Sequence, residues 1–204
     1  ELGHAYTRSR YYHLFLSGQY WGIYQTQERV TDSYGESYLE GEEEDFDIIK
    51  TRGQVAAGNR DAQLRLNEYA VRGFRNDEDY FKVQGLNTDG SRNDDYERLL
   101  DIDNLIDYML IIFYTGNSDG PGGRYTSFPN NYYSIYNRKN PDGFKYFAHD
   151  MEHSLDTGLY DMTVSQHGSL SRPEYLNPYS LHMRLVQNPH YRKRLKERTD
   201  LHFF

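Results

Sequence analysis

The sequence predicts an α+β fold. Three features point to it: alternating apolar runs bounded by glycine turns near the N-terminus and after residue 131, a strongly apolar helical segment between them, and helical spacing at the C-terminal end. With 204 residues the chain suits one domain. Hydrophobic residues are only 37% of the total, but 16% are aromatic and 21 are tyrosines. A tyrosine buries a large ring while keeping a polar tip, so such a chain builds a core at low mean hydropathy.

Residues 11–28 read as a β-hairpin. Tyr12, Leu14 and Leu16 alternate, Ser17-Gly18-Gln19 turns the chain, and Trp21, Ile23 and Gln25 alternate on the return. Gly22 interrupts the ladder and predicts a bulge or a close backbone approach. Trp21 and its neighbouring tyrosines are expected in the core. Residues 32–44, with Gly35, Gly41 and a run of acids, read as loop, and Glu40 to Asp45 as a solvated stretch. Phe46 to Lys50 reads as a strand. Residues 58–72 read as a helix stopped by Gly73, and a second helix capped by Asp77 holds Tyr80 and Phe81.

The strongest helix runs over 103–114, with Asp103 as its expected N-cap, Leu105, Ile106, Met109, Leu110 and Phe113 at helical spacing, and Gly116 as its stop. A loop over 117–131 follows, then strands Tyr132 to Tyr136 and Phe144 to Ala148 around the turn Asn140-Pro141-Asp142-Gly143. The stretch 153–178 reads as irregular. The end of the chain reads as helical, interrupted at Asn188-Pro189.

Charge and composition narrow the function classes. A net charge of −8 disfavours nucleic acid, whose binding needs a basic face. The absence of cysteine excludes disulfides, thiolate nucleophiles and cysteine-zinc sites. No apolar run reaches the roughly 18 residues of a membrane span, and no signal-peptide pattern opens the sequence.

One constellation carries chemistry. The buried helix ends, its loop supplies Asn117 and Asp119 and closes on Asn130-Asn131, and the following hairpin delivers His149-Asp150-Met151-Glu152. Phosphoryl transfer uses such a set: one carboxylate orients the attacking hydroxyl, while another carboxylate and an amide oxygen hold magnesium on the phosphates. Asp119, Asn131 and Asp150 stand in the order found in ordinary protein kinases, although Asn131 follows Asp119 by twelve residues rather than about five. An acid after an apolar strand, such as Asp150, is costly to bury unless it is paired or metal-bound. The bland alternatives are that Asp119 and Asn130-Asn131 only cap turns. His149, His153 and His167 also raise a zinc reading, which the strand spacing disfavours.

These pieces resemble the spore coat protein H (CotH) kinase family. The resemblance rests on Leu16-Ser17-Gly18-Gln19-Tyr20-Trp21-Gly22-Ile23-Tyr24 with Glu28-Arg29, Asp101 to Tyr108, Asn117-Ser118-Asp119, Asn130-Asn131-Tyr132, Phe147 to Glu152, and Asn188 to Arg192. Together they cover most of the chain. The resemblance implies an atypical protein-kinase-like fold, with a small β-rich part and a larger helical part. It implies transfer of the ATP γ-phosphate to Ser or Thr of a coat or surface protein, with magnesium or manganese. By it Asp119 is the catalytic aspartate, Asn131 a metal ligand with Asn130 as its substitute, and Asp150 the metal aspartate that meets the phosphates, assisted by Glu152. Lys50 is the candidate phosphate-binding lysine. Glu28 stands either as a regulatory glutamate or as a structural one. A bacterial secreted, cell-surface or spore-coat setting goes with it.

Two departures from the family pattern stand out. Residues 120–129 look like an insertion before the paired asparagines, and the family's opening glycine- and lysine-rich strands have no counterpart, so 1–204 reads as a partial domain. Both favour the second reading, a catalytically inactive kinase-like surface-binding module.

Overall fold

The computed structural model describes residues 2–122, 129–155 and 176–204. Strands β1 (Ser9–Leu16) and β2 (Gln19–Gln27) form an antiparallel hairpin. Its turn places Ser17 and Gly18 at φ 50° and 80°, the left-handed pair that suits the twist of a two-residue hairpin loop. The expected bulge is present: Leu14 faces Gly22 and Phe15 faces Tyr20, so Trp21 is the extra residue.

The expected burial of the hairpin is overturned. Trp21 is 57% exposed, and Tyr11, Tyr20, Ile23 and Tyr24 are exposed with it. The hairpin is a two-stranded sheet of its own, and among the described residues nothing covers either face. Alternation selects a buried face only where a second layer packs against it.

The second sheet has the order β4-β3-β5-β6, antiparallel throughout, from β3 (Phe46–Lys50), β4 (Gln54–Ala57), β5 (Tyr132–Asn137) and β6 (Lys145–Ala148). The short β4 was not legible in the sequence. Every residue of β5 is buried. One face of this sheet carries Ile49, Tyr132, Tyr136 and Tyr146 into a large core with helices α2 (Asp61–Arg72), α4 (Ile102–Thr115), α5 (Pro178–Leu185) and α6 (Pro189–Phe203). The other face carries Phe46, Ile48, Tyr133, Ile135 and Phe147 into a smaller core with Val30 and Tyr34.

Tyr34 belongs to helix α1 (Asp32–Tyr38), in the stretch expected to be loop. Thr31 Oγ1 accepts the Tyr34 amide at 3.2 Å and starts the helix. Gly35 is there for proximity: a Cβ at this position would lie 2.5 Å from the Phe46 ring. The acids that follow remain largely exposed, as expected.

Two expected caps shift by one or two residues. Helix α3 (Asp77–Lys82) is capped by Asn76, which accepts the Asp79 amide at 2.7 Å. Helix α4 is capped by Asp101, which accepts the Asn104 amide at 3.1 Å, and Asp103 instead binds Arg194 at 2.7 Å. Gly73 and Gly116 end their helices in the left-handed conformation, as expected.

Asp107 ties the helices together. It is 1% exposed on α4, and Arg198 and His202 of α6 and His4 of the N-terminal segment converge on its carboxylate. Burial pushes this carboxyl up, but the hydrogen bonds from His4 and Arg198 and the charges of Arg198 and His202 outweigh it and hold it at about 2. An unfolded aspartate titrates near ~3.9, so this carboxylate stabilises the fold fully above that pH and loses its contribution as pH falls through about 2. Asp107→Asn should therefore lower stability at pH 7 and flatten the loss of stability between pH ~4 and ~2, read by urea denaturation across that range. An acid limb identical to that of the unaltered protein would show that Asp107 does not carry it.

Candidate functional site

The site forms where the four-stranded sheet meets the loop after α4. Gly116 turns the chain out of the helix at φ 60°. Asn117, fully buried, then folds the loop over itself by accepting the Asp119 amide on Oδ1 at 3.2 Å. The loop returns as the head of β5. There Asn130 and Asn131 both donate from Nδ2 to Asp119 Oδ2, at 3.1 and 2.8 Å. Both bonds fall on one carboxylate oxygen, and among the described residues Oδ1 of Asp119 takes no hydrogen bond. The 120–129 insertion thus leaves the Asp119–asparagine contact intact. Its residues 123–128 lie outside those described, but Gly122 is packed so closely on α5 that a Cβ would lie 2.5 Å from the Tyr179 ring.

Asn131 also donates to the Asp150 carbonyl at 3.2 Å, joining the head of β5 to the chain leaving β6. With Nδ2 used twice, Asn131 Oδ1 keeps its acceptor capacity. Both Asn131 and Asp150 are left-handed, at φ 47° and 54°. Asparagine and aspartate tolerate this region better than other side-chain-bearing residues, at a cost of order 1 kcal/mol.

The expected cost of burying Asp150 does not arise, because its side chain is exposed where the chain leaves the sheet. The close carboxylate group is a different one. Ligand atoms of Asp119, Glu152 and His153 lie within 4.8 Å of one another. Residues 151–155 turn back to make this group. The His153 carbonyl accepts from the Ser118 amide at 3.2 Å and from its hydroxyl at 3.3 Å, and the Leu155 amide donates to the Thr115 carbonyl at 2.7 Å. The sequence placed His153 only in a zinc set, on its spacing of four from His149. The signal that could have found it was the density of acids and histidines over 149–153.

Among the described residues, His149 is not part of the group that holds His153. His149 sits edge-on to Tyr133 at 4.9 Å, His153 lies with Asp119, and His167 is outside the described residues. Burial is the main cause that lowers the His149 imidazole. Asp150 and Glu152 raise it, and Arg29 and Lys50 lower it further.

The oxygen donors suit a hard divalent cation. Opposite ligands of magnesium stand roughly 4 Å apart, close to the span of the Asp119–Glu152–His153 group. Lys50 ends β3 in register with Tyr133, at the same end of the sheet as Asn131 and Asp150. Glu28 is engaged elsewhere: it accepts the Arg8 amide at 2.8 Å and the Tyr38 hydroxyl at 2.5 Å, and these bonds hold its carboxyl below the usual value. Among the described residues it makes no ion pair with Lys50, and its bonds to Arg8 and Tyr38 fasten the hairpin exit.

Asn131→Ala should cost about 1–3 kcal/mol in chemical denaturation, because it places alanine in the left-handed region and removes both Nδ2 hydrogen bonds. An unchanged denaturation midpoint would mean that the loop closes without Asn131.

No curated protein matches the chain at a significant level. A protein-family model described as "CotH kinase protein" matches residues 1–202. The match spans essentially the whole chain, and with the α+β architecture of mixed helices and antiparallel sheets it makes this protein a member of the CotH kinase family.

Proposed function

We propose that this protein is an ATP-dependent protein kinase that transfers the γ-phosphate to a Ser or Thr hydroxyl of a coat or surface protein, with Mg2+ or Mn2+. The observation that carries the reading is the position of Asp119, whose Oδ2 is held by Asn130 and Asn131 while, among the described residues, Oδ1 takes no hydrogen bond. In this reading Asp119 Oδ1 orients the acceptor hydroxyl and receives its proton. A carboxylate held by two amide donors is fixed in direction, and proton transfer to a positioned group needs that.

Asn131 Oδ1, Asp150 and Glu152 would hold the metal, with Asn130 beside them. Bound there, the cation would neutralise charge on the nucleotide phosphates. Asp150 would need to turn toward the Asp119–Glu152–His153 group, and its exposed side chain leaves it free to do so. Lys50 would meet phosphate from the end of β3. The family's association with spore coats supports a coat or surface setting, and no helix among the described residues is long and apolar enough to cross a membrane.

The direct test follows label from γ-labelled ATP into protein with magnesium or manganese. Asp119→Asn should lower incorporation by about 10²–10⁴-fold and retain nucleotide binding. Asp150→Ala should lose metal-dependent nucleotide binding as well as incorporation. Failure of the unaltered protein to bind nucleotide at millimolar ATP would overturn the kinase reading and favour the catalytically inactive surface-binding module.

A further inference from the structure

We propose that the hairpin β1–β2 is a self-association surface: the outer edge of β2 pairs antiparallel with the same strand of a second copy of this chain, about a two-fold axis.

The hairpin carries a heavy load of exposed apolar side chains. Tyr11, Tyr12, Phe15, Tyr20, Trp21 and Tyr24 are between 48% and 70% exposed, and Leu16 and Ile23 are exposed beside them. An aromatic side chain presents roughly 150–250 Å² when fully open, so these rings together expose roughly 500–900 Å². The largest apolar patch of an ordinary monomer is roughly 300–600 Å². Each partner of a standard protein interface contributes roughly 800 Å². The hairpin therefore carries as much apolar surface as an interface uses, and carries it within residues 9–27.

The backbone says how a partner is met. A sheet of two strands is marginal by itself, and each strand of this one has an open outer edge. Natural open edges are guarded by charges, prolines or bulges. Strand β1 carries Arg10 and His13. Strand β2 carries no charge and no proline, in a chain in which 26% of the residues are charged. Its one guard is the bulge at Trp21, near the turn. Beyond the bulge, Gly22 to Gln27 pair regularly with Leu14 to Ser9, so the open edge is regular over residues 23–27.

Charge selects a second copy as the occupant. Each chain carries a net charge of −8, so two copies repel wherever their acids face one another. At the uncharged β2 they meet without that repulsion. A basic partner would be recognised through acids, and β2 offers none. Pairing a strand with its own copy sets the same residues on both sides and closes at two. In the resulting four-stranded sheet the outer strands are both β1, where Arg10 and His13 oppose further growth.

The test measures the mass of the full chain in solution by light scattering. The mass should rise from one chain toward two between about 1 and about 100 µM. Ile23→Asp sets like charges into the pairing edge. Ile23 is 62% exposed, so the fold, checked by circular dichroism, should persist while the mass stays at one chain. Leu201→Asp alters a similarly exposed apolar residue on α6 and should associate as the unaltered protein does. The chain has no cysteine, so Gln25→Cys, at the middle of residues 23–27, should cross-link to its copy under mild oxidation. The exposed Lys193→Cys should not. A mass of one chain throughout overturns the proposal, as does a dimer that Ile23→Asp leaves intact or a mass that climbs past two chains. A dimer in which Gln25→Cys does not cross-link overturns the edge pairing. None of these readouts involves nucleotide, so the kinase reading stands or falls separately.

Discussion

Strand β5 is buried along its whole length and paired on both sides, with β3 and with β6. A strand in that position cannot slide by one residue. A slip would carry Tyr132 and Tyr136 out of the large core and Tyr133 and Ile135 out of the small one. Its register therefore fixes where Asn131 stands, just before its first residue, and places Lys50 and His149 at the same end of the sheet. The functional candidates are polar groups gathered at one end of a strand that side-chain packing and pairing on both edges hold in place.

The loop on the other side of the site is held by a few specific polar contacts. Asn117 folds the loop after α4, the two asparagines take one oxygen of Asp119, and the tail after β6 ties back to Ser118 and Thr115. These contacts lie at the loop's two ends, so chain can be added between them without moving either anchor. Loop-closure entropy grows slowly with length, which makes such additions thermodynamically tolerable. The left-handed backbone at Asn131 and Asp150 is the local cost of aiming these residues.

Charge is distributed unevenly over this acidic protein. Much of its cationic surface is spent on structure, as in the Asp107 cluster that binds α4, α6 and the N-terminal segment, and in the Arg138 bond to the buried Asp47. In the exposed hairpin β1–β2, Glu28 at the exit is fastened by the Arg8 amide and the Tyr38 hydroxyl, while the hairpin's own aromatic side chains remain in solvent.

Much of the architecture was legible in the residues. The Phe46 to Lys50 strand, the helix ended by Gly116, the Gly73 stop and the bulge beside Gly22 all follow from local pattern, because capping, turn chemistry and alternation act over a few residues. What local pattern could not settle was burial and convergence. Trp21 carries the same alternation whether or not a second layer covers it. Gly35 reads as loop punctuation until the Phe46 ring is beside it, and the acid at Asp150 reads as buried until the chain is seen leaving the sheet. The approach of Glu152 and His153 to Asp119 joins segments far apart in the chain. Such proximity comes from the packing of two cores against one sheet, a long-range outcome that no short stretch of residues encodes.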